Sequence, residues 1–158
     1  MKQFFLFVLF PFLVLSMPCD TFSQNCQEIR SVPRKNTKVK VFESPDSNAV
    51  QFTKDVLGKN ITYRIHLRMM RPVIDLGQKG VTILFDDGSK LVKPEETVDV
   101  NNLDDKFEFT STLTLLPEEL LLLQKKKITG FILFTYQKDI TSTDGEKFRS
   151  YAKCIIKK

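Results

Sequence analysis

The stretch Asn60–Met70, "NITYRIHLRMM", decides how the chain is read. Ile61, Tyr63, Ile65, Leu67 and Met69 fall on one parity, and Thr62, Arg64, His66 and Arg68 on the other. Successive side chains of an extended backbone point to opposite faces, so this period of two predicts a strand with one side on a core and the other in water.

Similar patterns recur on both sides of it. Upstream, "TKVKVFE" (37–43) alternates Val39 and Val41 against Lys38 and Lys40, and "SPDSN" then ends that strand. The polar segment 24–36, which contains Pro33, reads as an irregular arm, and residues 53–59 show no decisive pattern. Downstream, "GVTILFDDGSKLVKP" (80–94) reads as two strands joined at Asp87-Gly88, the pair that supplies the positive φ angles of a type I′ turn. After the polar loop "EETVDVNNLDD", the stretch "KFEFTSTLTL" (106–115) alternates again.

Pro117, Glu118 and Glu119 begin a short helix over about 117–126, with lysines at its negative end. "ITGFILFTYQ" (128–137) is apolar on both parities and reads as a single central strand. Thr143 and Glu146 fit a capping box opening a last helix over about 144–156. There Phe148, Tyr151, Ala152, Ile155 and Ile156 make an apolar stripe with Cys154 beside it. Antiparallel strands followed by helices predict an α+β domain: a β-rich sheet or sandwich with a C-terminal helix packed on it. The alternating helices of a doubly wound parallel sheet are missing.

The N-terminus carries different information. Lys2, an apolar run from Phe4 to Met17 and small residues at Thr21 and Ser23 read as a signal peptide cut after Ser23, although a cut after Ser16 is also permitted. The apolar run is shorter than the roughly 20 residues of a membrane-spanning helix. Residues 24–158 then form one exported domain, periplasmic or secreted. A rival reading makes Cys19 a lipidated first residue, against which Pro18 stands where a small residue is wanted. The formal net charge of +5 favours acidic surfaces, such as anionic glycans or lipid head groups, and export argues against nucleic acid.

The cleavage leaves Cys26 and Cys154, one at each end of the domain. In an oxidising compartment an even count reads first as a disulfide, and second as two separate thiols. Other chemistry finds little support. His66 is the only histidine, so any Ser-His-Asp or Cys-His arrangement must use it, and Arg64 and Arg68 beside it disfavour its protonation. Cys154 sits at a helix C-terminus, the wrong dipole end for a reactive thiolate. No zinc spacing occurs, and the Asp99–Asp105 stretch lacks the glycine and terminal glutamate of a calcium loop, so no metal or cofactor is assigned. Asp86-Asp87 is explained by the turn. "NIT" at Asn60 fits a glycosylation sequon that matters only in a eukaryotic secretory path. The outward trio Arg64, His66 and Arg68 is the candidate anion-binding stripe, spanning about 13 Å on one sheet face.

The Phe-rich leader ending "FSQ", the "LFDDGS" hairpin, "LLPEELLLLQKKKITGFILF" and the closing "KFRSYAKCIIKK" together resemble small exported proteins of unknown function common in Bacteroidota. That resemblance implies an envelope or secreted location and assigns no site residues. The favoured reading is a non-catalytic exported module binding an envelope component or protein partner. The alternatives are an exported hydrolase and a protein lipid-anchored through Cys19.

Overall fold

In the computed structural model, which describes residues 25–34, 38–72 and 79–158, the alternation of Asn60–Met70 becomes the longest strand of the molecule. The leader, Cys19 and the expected cleavage site lie outside the described residues. After a 3₁₀ turn (Asn25–Glu28) the order is β1 Arg30–Pro33, β2 Lys40–Glu43, β3 Val50–Leu57, β4 Asn60–Arg71, β5 Lys79–Phe85, β6 Lys90–Thr97, β7 Asp99–Leu103 and β8 Lys106–Thr114. Then come α1 Pro117–Lys125, β9 Ile128–Leu133, β10 Tyr136–Asp139 and α2 Ser142–Lys157.

The strands form two antiparallel sheets, β1-β2-β3-β4-β8-β7 and β10-β9-β5-β6. The fold is therefore α+β with β-rich sheets, as the alternation predicts. Ile65, Leu67 and Met69 of β4 join Phe109 and Leu113 of β8 on one side of a single core, and Val81, Ile83, Phe131 and Leu133 supply the other. Phe109 meets Tyr136 edge-on across the sheets, with ring centroids 5.0 Å apart. Helix α2 packs against both β3 and β9 and contributes Phe148, Tyr151, Ala152 and Ile155 to the same core.

Several local expectations are corrected. The supposed irregular arm contains β1, whose four residues are all exposed and which exists because β2 offers it a ladder from Arg30↔Glu43 to Pro33↔Lys40. The polar loop after β6 contains β7, an edge strand paired to β8. The chain changes sheet at Val98, an anchor 1% exposed, while the Ser111 hydroxyl donates to the Thr97 carbonyl at 2.8 Å.

The Asp-Gly turn is a three-residue loop rather than a type I′ pair. Gly88 N–H donates to the Phe85 carbonyl, Gly88 has φ +79°, and Asp87 has no positive φ. Asp86, the first residue of that loop, is held by Lys127, its N–H donating to the Lys127 carbonyl and its carboxylate accepting from the Lys127 N–H at 3.1 Å. Lys126 and Ser89 bind the Asp87 carboxylate and keep its pKa below the ordinary range.

The apolar run 128–137 reverses in the middle. Phe134 takes φ +57°, and Leu133 pairs directly with Tyr136. Helix α2 starts two residues earlier than expected. Thr141, rather than Thr143, accepts the Asp144 N–H at 3.1 Å, because that earlier frame places Gly145 inside the first turn against the Ile128 carbonyl. No helix among the described residues is long and apolar enough to cross a membrane.

Candidate functional site

Arg64, His66 and Arg68 do share the outer face of the six-stranded sheet, but their neighbours already answer their charge. The Arg64 guanidinium donates to the Asp55 carboxylate from the next strand. Arg68 pairs with Asp46 and with Glu108 of β8, each at 3.1 Å. His66 lies between two threonines, its Nε2 3.1 Å from the Thr53 hydroxyl and its Nδ1 2.8 Å from that of Thr112. A neutral ring suits this setting, one nitrogen donating and the other accepting. Burial lowers the His66 pKa, Arg64 lowers it further with lesser help from Arg34 and Arg68, and Asp55 opposes them.

The sign of the consequence follows. With the folded pKa below the ordinary 6.5, the fold favours the neutral ring. Its contribution is present above that unfolded value and is lost as pH falls through the folded one. His66→Gln, which keeps a donor and an acceptor but cannot titrate, should flatten the fall in thermal stability between about pH 7 and about pH 5. An unchanged slope in the variant would assign that fall to other groups.

Cys26 and Cys154 are brought together. Their sulfurs stand at disulfide distance with Cα atoms 5.0 Å apart, across 128 positions of chain. The pairing is local to two small elements: the 3₁₀ turn lies along α2, where the Tyr151 hydroxyl donates to the Glu28 carboxylate. Burial, with the hydrogen bond and charge of Glu28, raises the Tyr151 pKa above its ordinary range. Cys154 is 1% exposed. Among the described residues, Cys154 is held by its partner cysteine and His66 by the hydroxyls of Thr53 and Thr112. Among the described residues no three His, Cys, Asp or Glu side chains gather as metal ligands. The Asp99–Asp105 stretch is β7 and a turn with Asp104 at φ +50°.

A second surface lies at the end of the six-stranded sheet beyond α2. Phe42, Lys54 and Tyr63 are register partners across β2, β3 and β4. Lys54 is only 6% exposed. Its ammonium donates to the Ile156 carbonyl in the last turn of α2 at 3.3 Å, 5.9 Å from the Phe42 ring centroid and 5.5 Å from that of Tyr63. A cation there meets the negative end of the helix and two π faces. The next row, Lys40, Val56 and Ile61, overruns the helix. This explains why Ile61, although on the predicted inward parity, is 50% exposed.

Two grooves open at this end. One, of about 470 Å³, has Arg34, Lys38 and Lys40 around Val32, Pro33 and Phe42, with no carboxylate in its lining. The other, of about 460 Å³, is mainly apolar and lies between Ile61 and Tyr63 of β4, Leu120 and Leu121 of α1, and Ile156 of α2. The three cations of the first groove are exposed, and among the described residues none has an ion-pair partner. The signal for this groove is present in the chain: between residues 30 and 42 stand Arg30, Arg34, Lys35, Lys38 and Lys40 with no acid. Reading residues 24–36 as an unstructured arm splits that run and hides it. No protein-family model, curated protein or solved structure matches the chain.

Proposed function

We propose that this protein is an exported, non-catalytic binding module that holds an acidic component of the cell envelope through the basic β1–β2 hairpin. The observation that carries this reading is the groove of Arg34, Lys38 and Lys40, cations with no ion-pair partner among the described residues around a small apolar floor, set against the outer-face arginines that are already bound to carboxylates. Unpaired cations raise the local concentration of an anion and can bind it without first breaking an internal pair. The closeness of Cys26 and Cys154 supports export to an oxidising compartment, where they form a bond that holds the first and last elements together.

The test is retention of the exported, oxidised protein on immobilised dextran sulfate across a salt gradient. Retention should weaken steeply with salt, as expected for exposed charges. Lys38→Glu with Lys40→Glu should weaken it by about ten-fold at low ionic strength. Arg64→Gln, which removes a cation already bound by Asp55, should leave it nearly unchanged. Equal retention of the wild type on an uncharged dextran column would overturn the reading.

A further inference from the structure

Four of the large aliphatic side chains left exposed stand at the overrunning end of the sheet, while Met70, Val92 and Leu103 are scattered singly elsewhere. Leu57 and Ile61, each 50% exposed, flank the β3–β4 turn. Leu116 (49%) precedes α1, and Leu121 (51%) stands on it. Ile61, Leu121 and Ile156 all line the apolar groove. Lysines interleave with these aliphatics. Lys59 occupies the turn between Leu57 and Ile61, Lys40 shares the row of Ile61, and Lys157 and Lys158 follow Ile156. All four are exposed, and among the described residues none has an ion-pair partner. Glu118, one turn before Leu121, is an exposed carboxylate at the positive end of α1.

A soluble polyanion is met by charge alone and gains nothing from half-exposed aliphatic side chains. A bilayer of anionic lipid takes both: lysines reach the headgroup phosphates while aliphatics enter the layer beneath. We infer that this end of the molecule is a membrane-facing edge that seats on the surface of an anionic phospholipid bilayer, with Ile61 and Leu121 entering the interface. The inference rests on the preceding reading of the basic groove and names the acidic component as lipid.

The exported, oxidised protein is mixed with vesicles made of equal parts phosphatidylglycerol and phosphatidylcholine, or of phosphatidylcholine alone, and the bound fraction is read by flotation. Binding is expected only where phosphatidylglycerol is present. Neutralisation by Lys38→Gln, Lys40→Gln and Lys59→Gln should lower the partition coefficient by about 100-fold, each lysine near an anionic surface being worth about five-fold. Ile61→Ser with Leu121→Ser should lower it by about ten-fold while leaving dextran sulfate retention and melting temperature near wild type, since both side chains are half exposed already. Retention on dextran sulfate without flotation would overturn the bilayer inference and leave the basic groove standing. Flotation unchanged by the serine pair would also overturn it, because the lysines would then suffice. Loss of both binding modes in the wild type would remove the inference together with the reading beneath it.

Discussion

Replacing Cys26 and Cys154 by serine is expected to lower the unfolding free energy by up to about 5 kcal/mol, the chain-entropy value for a closed loop of this length. The bond would join residues 128 positions apart, so almost the whole domain lies inside the loop that it closes in the unfolded state. Little native structure has to change, because Cys154 remains in α2 and the short 3₁₀ turn keeps the Tyr151–Glu28 hydrogen bond. The loss should therefore appear mainly as easier unfolding in urea with a retained fold at low denaturant. Reduction of the wild type should reproduce it. Intact mass after alkylation without reductant supplies the control: the unfolded, exported protein should take up no label, with its N-terminus at Gln24. If reduction and the serine pair both leave the urea midpoint unmoved, the clasp carries none of the stability assigned to it.

Gly145→Ala should destabilise the protein by about 1–3 kcal/mol, although alanine is the better helix former by about 1 kcal/mol. The two effects oppose each other, and distance decides between them. A Cβ at position 145 would stand 2.4 Å from the Ile128 carbonyl oxygen, with the Lys127 Cβ at 3.6 Å. The obstacle is the backbone of β9, a strand inside a sheet, so it cannot swing aside as a flexible side chain would. Helix α2 would have to lift from β9, opening the packing of Phe148 and carrying Cys154 away from Cys26. A lowered melting temperature checks this. An alanine variant as stable as the wild type would mean that helix and strand part freely.

The parts of the fold legible in the chain are those with a strong local period. β4, β8 and α2 each bring several apolar residues to one face at a fixed spacing, and that spacing survives whatever they pack against. β1 and β7 have no such signature. Their residues are nearly all exposed, and a neighbouring strand gives their backbone groups partners. Phe134 shows a different limit: a bulky residue at φ +57° carries none of the usual turn chemistry, so its reversal is hidden within an apolar run. At the candidate sites, parity placed Arg64, His66 and Arg68 on one face. It could not show that Asp55, Asp46 and Glu108 would arrive from three other segments to bind the arginines.

By itself the sequence determined that the chain makes antiparallel strands with a helix at its end, which faces of β4 and α2 are apolar, and that Cys26 and Cys154 sit at opposite ends of the domain. Those properties depend on near neighbours along the chain. Only the tertiary structure decided that the two cysteines stand 5.0 Å apart between Cα atoms, that the outer-face arginines are spoken for, and that Lys40 and Lys59 come beside Leu57, Ile61 and Leu121 where the sheet outruns α2. Each of those depends on how far separate segments extend past one another in space. That distance is set by packing around a shared core, and no local period encodes it.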